Sequence, residues 1–394
     1  MSSDLSRGAA GLAGAPFVFA VLIVAAAAGC GRLEARASFG DGGRPAVRPG
    51  REEPEERGFV EVSAGYQVTC GRRASGRVAC WGRNEYGGVG DGTTTLRSRP
   101  VTVAGIADAV QVSAGDKHAC VLHATGHVSC WGHNYGGGVG DGTTTDRWQP
   151  TEVVGLSDAI QVAAGGYFTC ALRQVGVVMC WGLNEQGSVG DGTYVNRLVP
   201  VAVREISDVA KIAAGNRSAC ALLRSGPVYC WGASRSPTPE LMRELTDVVE
   251  VSGGSGQTCA RRASGTVSCW GFIWTGGGIG GFEPTNSPVQ VMGLDDATGI
   301  SVRDEHACAL RANGDAVCWG LNDHGELGDG TTTSSAVPVA VSGIDGIVQI
   351  VVGRAFTCGL RADSSLWCWG ENISGQLGDG TTETRFTPTP VLDP

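Results

Sequence analysis

Beyond residue 28 this chain has no long apolar run and no stretch of helical periodicity, and charged side chains make up only 18% of its 394 residues. Those absences exclude a helical membrane protein, a coiled coil and a helix bundle from that part of the chain. It also lacks a phosphate-binding loop, an HExxH helix and a nucleophile elbow, so the common signatures of nucleotide, zinc-peptidase and serine-hydrolase chemistry are missing. Histidine is scarce at six residues and offers no spaced ligand set. What the chain has in excess is glycine, 63 residues, which points to short strands joined by tight turns.

The N-terminus reads differently from the rest. One cation, Arg7, precedes an apolar run from Phe17 to Ala28, too short and too early for an ordinary membrane span, so residues 1–29 read as a signal peptide. The run closes on Ala27, Ala28, Gly29 and Cys30, similar to the small-residue box before the lipid-modified cysteine of bacterial lipoproteins. Lipidation at Cys30 is the expectation, with a plain signal peptide or an uncleaved anchor as the alternatives. Residues 30–58 are rich in Arg, Glu, Pro and Gly and hold too little apolar surface to fold, so they read as a tether. The expected location is the bacterial cell envelope, at the outer membrane or cell surface.

From residue 59 onward the chain repeats itself. Cys-Trp-Gly occurs seven times, its tryptophan at Trp81, Trp131, Trp181, Trp231, Trp270, Trp319 and Trp369. Each unit contains an alternating stretch, two further strand-like segments around a turn, a glycine-rich loop and a Pro-initiated strand such as Val101–Val103. Four strands in each of seven units predict an all-β, seven-bladed β-propeller of four-stranded antiparallel blades. The units run approximately 59–108, 109–158, 159–208, 209–247, 248–296, 297–346 and 347–394. The segment Val78-Ala79-Cys80-Trp81 is apolar on both faces, as a blade sandwiched between neighbours requires.

Fourteen of the 15 cysteines fall into seven equally spaced pairs: Cys70 and Cys80, Cys120 and Cys130, Cys170 and Cys180, Cys220 and Cys230, Cys259 and Cys269, Cys308 and Cys318, Cys358 and Cys368. Glycine ends the intervening turn in six units, and Ser364 is the exception. If Arg73 and Arg77 close that turn, Cys70 faces Cys80 at disulfide reach. Export favours oxidation, and each bond would contribute roughly 2 to 3 kcal/mol. Reduced, buried thiols are the main alternative, and zinc binding does not suit the spacing.

The string HACVLHATGHVSCWGHNYGGGVGDGTTTDRWQP, His118 to Pro150, resembles the repeat of the regulator of chromosome condensation family. The resemblance spans about residues 59–394 and implies a propeller closed by pairing strands from both chain ends in one blade. The family's eukaryotic founder exchanges guanine nucleotides on a small nuclear GTPase while sitting on nucleosomes. Other members are a plant UV-B photoreceptor and a secreted bacterial inhibitor of β-lactamase, and the last suits this compartment best. A net charge of −9 opposes nucleic-acid binding.

Candidate sites divide into regular and irregular ones. Asp91, Asp141, Asp191, Asp329 and Asp379 recur in GDGT, where a turn role is expected, as is a loop-bracing role for Asn84, Asn134, Asn184, Asn322 and Asn372. Arg97, Arg147, Arg197 and Arg385 are expected to pair with those aspartates. His118 and His306 share one repeat position and read as core residues, while His123, His127 and His133 lack a carboxylate partner for a metal. Unit four has lost its glycine-rich loop, and unit five carries Phe272, Ile273 and Trp274 where the asparagine should stand. This apolar cluster, extended by Trp148, Tyr194 and Phe386 with Tyr86 and Tyr135, is the candidate partner-binding edge. Phe272 and Trp274 filling vacated space is the alternative.

Together these point to a non-enzymatic adaptor or inhibitor, a monomer anchored by its lipid, that binds a protein or cell-wall ligand without cofactor or metal. An exported hydrolase or lyase using the loop aspartates, and exchange activity by family resemblance alone, are the alternatives.

Overall fold

In a computed structural model the described residues are 58–233, 235–274 and 282–392. The predicted signal peptide, Cys30 and the tether up to residue 57 lie outside them. In blade one, β1 (Glu61–Ala64), β2 (Val68–Arg72), β3 (Val78–Gly82) and β4 (Arg97–Thr102) pair antiparallel in chain order. Six further sheets repeat that order, each built from four consecutive strands, so the protein is an all-β, seven-bladed propeller. The fourth strands start earlier than the sequence suggests, and Pro100 lies inside β4 instead of opening it. An outermost strand tolerates this, because one of its edges has no partner to miss the absent N–H.

The antiparallel order sends the β1–β2 turn and the long β3–β4 loop to one end of each blade, here termed the loop face. The β2–β3 hairpin turn lies at the other end. That turn closes through Arg73 N–H to the Arg77 carbonyl at 2.8 Å, with Gly76 at φ +86°. Cys70 consequently stands opposite Cys80, and all seven pairs lie at disulfide distance with Cα separations of 4.0–4.1 Å. Ser364 adopts the left-handed conformation that glycine takes elsewhere, at φ +68°.

Neighbouring blades are joined by devices that recur around the ring. The indole N–H of Trp131 donates to the Gly88 carbonyl of the preceding blade at 3.0 Å, and Trp181, Trp231, Trp369 and Trp81 repeat the bond to Gly138, Ser188, Glu326 and Gln376. These indoles are fully buried, each contributing on the order of 4 to 6 kcal/mol of apolar burial before ordering costs. On the inner strands a glutamine side chain bridges to the next blade's backbone. Gln111 accepts from Val162 N–H at 2.8 Å and donates to its carbonyl at 3.0 Å, and Gln161 does the same with Ile212.

The family resemblance implies a blade shared by both chain ends, and here the structure differs: among the described residues no sheet mixes them. Blade seven meets blade one through the contacts that join the regular blades to one another. Gln349 brackets Val62 at 2.9 and 3.0 Å, Phe59 N–H donates to the Ser364 carbonyl at 3.0 Å, and Phe59 and Trp81 pack with Phe356 and Leu377. Among the described residues, seven complete four-stranded units leave no odd strand to exchange.

Two measurements test this fold. Alkylation of the denatured protein should label none of the fourteen paired cysteines until a reductant is added; labelling beforehand would make them free thiols. Ser364→Gly should stabilise the protein by about 1 kcal/mol in chemical denaturation, because glycine has no Cβ penalty at positive φ.

Candidate functional site

The regular loops use their polar groups internally. Asn84 accepts from Val89 N–H at 2.9 Å and donates to the Thr93 and Thr95 carbonyls at 3.1 and 3.0 Å. Asp91 accepts from Thr93 N–H and hydroxyl at 2.9 and 2.8 Å and from Arg97 Nε at 2.7 Å. Burial pushes the Asp91 carboxyl up, but the bonds from Thr93 and Arg97 outweigh it and hold the group below the usual carboxylate range. Asp141, Asp191 and Asp379 are held in the same way by Arg147, Arg197 and Arg385, whereas Asp329 bonds to Thr331 and has Ser335 at the arginine position. Each aspartate is thus engaged inside its own blade, an arrangement that does not gather a shared set of reacting carboxylates.

The histidines separate as well. His118 and His306 are buried and bond through Nε2 to Thr169 and Thr357 of the following blade at 2.8 and 2.9 Å; burial depresses them to about 4 and about 3. Contrary to the sequence expectation, His123 and His127 each meet a carboxylate, Asp108 at 2.6 Å and Glu152 at 2.8 Å, while His133 packs beside Tyr86, Tyr135 and Tyr167, and among the described residues no group of three or more possible metal ligands forms.

The predicted apolar edge is distributed in a way the sequence does not convey. Phe272, Ile273 and Trp274 do not form a loop; they prolong the third strand of blade five, Val267–Trp274, against Phe282–Gln290. Ile273 packs against the core between blades five and six, Phe272 is half-exposed on the loop face, and the Trp274 side chain lies outside the described residues. Trp148 and Phe386 occupy a repeat position at the start of the outer strand, where each covers a left-handed glycine of the preceding loop, Gly87 and Gly325. In blade four Pro237 covers Gly187 in the same manner, so its short segment retains this contact. Tyr194 is exposed in the loop of blade three.

A cavity of about 490 Å³ opens on the loop face across blades five, six, seven and one. Its origin lies in the β1–β2 turns. Six blades carry glycine at one position there, namely Gly65, Gly115, Gly165, Gly215, Gly254 and Gly353. A Cβ at Gly65, Gly115, Gly165 or Gly215 would collide with the next blade's glycine carbonyl. This closeness permits a belt of backbone bonds between blades: Tyr66 N–H to Gly115, Asp116 N–H to Gly165, Gly166 N–H to Gly215, Asn216 N–H to Gly254 and Arg354 N–H to Gly65, at 3.1–3.3 Å.

Blade six has Arg303 instead of glycine, and among the described residues the belt is interrupted on both its sides. Arg303 reaches across the central channel to Asp116 at 2.8 Å and to the Ala64 carbonyl at 2.9 Å, while Asp116 also accepts from Asn216. The next residue, Asp304, has φ +46° and turns into the cavity wall. One of its oxygens accepts from Ser255; the other, Oδ2, is buried without a hydrogen-bond partner. Burial raises the carboxyl to about 6.

Glu326 lines the same cavity with only 1% of its surface exposed. Its position is that of Gln376 in blade seven. Gln376 accepts from Ser374 N–H and donates to Glu371 at 3.1 Å; Glu326 accepts from His324 N–H at 2.8 Å, but Leu321 stands where Glu371 would be. Burial raises Glu326 to about 7. The cavity is completed by Phe272, Leu321, His324, Glu371 and Arg354, the last stacked on Tyr66 with its guanidinium 4.3 Å from the ring centre and bonded to the phenol oxygen. The repeat pattern does not single out Asp304, Glu326, Glu371 and Arg354, although the column of glycines broken by Arg303 is a signal legible in the sequence.

These features define a repeat propeller whose symmetry fails at one sector. Two family models, both described as Regulator of chromosome condensation (RCC1) repeat, match the chain: one over residues 75–122, 125–172, 176–222, 313–360 and 363–394, the other over 59–87, 109–137, 159–188, 209–236, 299–326 and 347–376. The chain belongs to this family. Neither model matches residues 237–298, which contain blade five. No curated protein matches the sequence. Among solved structures, Prp20p of Saccharomyces cerevisiae, whose description concerns its binding to Gsp1p and histones, has a TM-score of 0.70 at 18% identity, covering 85% of this chain and 88% of that one. Human WBSCR16 has a TM-score of 0.68 at 19% identity, covering 81% and 94%. The CRINKLY WD40 ectodomain of the Arabidopsis thaliana receptor kinase ACR4 has a TM-score of 0.51 at 21% identity, covering 83% and 99%. At these identities the likeness is one of fold.

Glu326 supplies a test. Its raised pKa means that stability is fullest below about 4.5 and is lost as pH rises through about 7, since only the unfolded chain ionises freely in between. Glu326→Gln, copying Gln376, should flatten that decline and stabilise the protein at pH 8 by roughly 3 kcal/mol. Parallel urea unfolding at pH 5 and pH 8 would read it; an unchanged slope would contradict the assignment.

Proposed function

We propose that this protein is a non-enzymatic binding propeller of the bacterial cell envelope, exported, tethered by a lipid on Cys30, and engaging a partner protein with the loop face of blades five to seven. The observation that carries the reading is the cavity beside half-exposed Phe272, in the sector where the repeat pattern breaks. Pockets that combine apolar walls with a few polar groups are the usual form of a recognition site, and an exposed aromatic at the rim is a usual anchor. The regular loops, by contrast, have their asparagine, aspartate and arginine groups committed to one another, which argues against hydrolase or lyase chemistry by those aspartates. The yeast relative's binding to Gsp1p and histones is compatible with a protein partner in general terms. Seven cysteine pairs at disulfide distance suit an oxidising compartment, where the plant receptor ectodomain offers a fold parallel.

Two experiments test the two halves. A photocrosslinking residue at Phe272 should trap one reproducible protein in intact cells, whereas the same residue at Val175, exposed at a hairpin turn on the opposite face, should not. Equal trapping from both positions, or none from Phe272, would remove the docking face. Cys30→Ser should move the protein out of the membrane fraction; continued membrane association would remove the lipid tether.

A further inference from the structure

The loop-face cavity has a charge imbalance that its own residues leave unresolved. Four carboxyl groups, Asp304, Glu305, Glu326 and Glu371, line it. The cations available are few: Arg354 is engaged with Tyr66, Arg303 is turned away into the channel toward Asp116, and His324 approaches Glu371 only at 4.0 Å. Glu371 is further satisfied by donors from Gln67 and Gln376, at 3.3 and 3.1 Å. Asp304 and Glu326 have fewer: Asp304 accepts from Ser255, and Glu326 from the His324 N–H. Asp304 keeps one buried oxygen without a partner, and Glu326 has lost to Leu321 the neighbour that its counterpart Gln376 retains.

A buried acceptor without a donor costs free energy, and a low-dielectric wall strengthens its attraction to any cation that reaches it. Phe272 and Leu321 line the same cavity and supply apolar surface suited to an aliphatic stem. The volume, about 490 Å³, accommodates one long side chain and its backbone.

We propose that this cavity receives a lysine or arginine side chain of the partner protein, its methylenes against Phe272 and Leu321 and its cationic head between Asp304 and Glu326. This rests on the docking face proposed above and specifies the chemistry of what enters it. The negative wall selects cation over anion, and the missing hydrogen-bond donors are those that an ammonium or guanidinium head supplies.

The test uses the folded protein and three blocked amino acids, the N-acetyl methylamides of lysine, arginine and glutamine, titrated by calorimetry or by amide-resonance shifts. The lysine or arginine compound should bind saturably at pH 8, at least tenfold more tightly than glutamine. Binding should weaken at least tenfold at pH 5, where both carboxyls are protonated. At pH 6.5 it should release protons, seen as a dependence of the heat on the ionisation enthalpy of the buffer. Glu326→Gln and Asp304→Asn should each weaken binding fivefold or more while their unfolding transitions stay cooperative, and Phe272→Ala, which leaves every charge in place, should weaken it by less. Equal binding of the glutamine compound, absence of saturation at millimolar concentration, or wild-type affinity in both carboxyl variants would overturn the proposal. If crosslinking from Phe272 still traps a partner while the cationic amides fail, the docking face stands and the cation reading falls. Saturable binding of the amides without any trapped partner would uphold the cation site and remove the docking face.

Discussion

The contact between one blade and the next is what the rest of the molecule depends on. A four-stranded sheet of this size cannot bury two apolar faces by itself, so each blade is stable only with a neighbour on either side. The third strand supplies both halves of that contact: its cysteine faces the second strand within the blade, and its tryptophan enters the preceding blade and bonds to a loop carbonyl. The glutamines of the inner strands and the glycine belt fix the spacing nearer the axis. Since the contact between blades seven and one is of the same kind, a ring of seven closes without exchanging a strand.

The same contact explains why irregularity concentrates in one sector. Among the described residues, Trp270 and Trp319 make no indole bond of the kind their counterparts make, and each follows a blade whose loop departs from the repeat. The glycine belt is interrupted around Arg303 in the adjoining blade. Losing a close backbone approach opens space, and here that space is lined by groups with no role in the repeat. An interaction site can form where the ring no longer needs every polar group for its own loops.

Chemistry-bearing side chains are accordingly of two kinds. In the regular loops aspartate, asparagine, threonine and arginine form closed sets, and their ionisation is held in the direction that keeps them so. In the cavity Asp304 and Glu326 are displaced in the opposite direction by burial, which Arg303 and Arg354 offset only in part at Asp304. Residues of the first kind are abundant and conspicuous in the sequence, while those of the second occur once each.

The sequence by itself determined the ring, the blade number, the facing cysteines and the internal role of the loop polar groups, because each is written several times at constant spacing. It also marked units four and five as exceptional. Only the tertiary structure decided that Phe272, Ile273 and Trp274 prolong a strand, that Trp148 and Phe386 cover loop glycines, and that Asp304 shares a cavity with Glu326. Those outcomes depend on which residues of different blades come within a few ångströms of each other. A repeat period records what blades have in common, and the cavity is made from what blade six does not share with them.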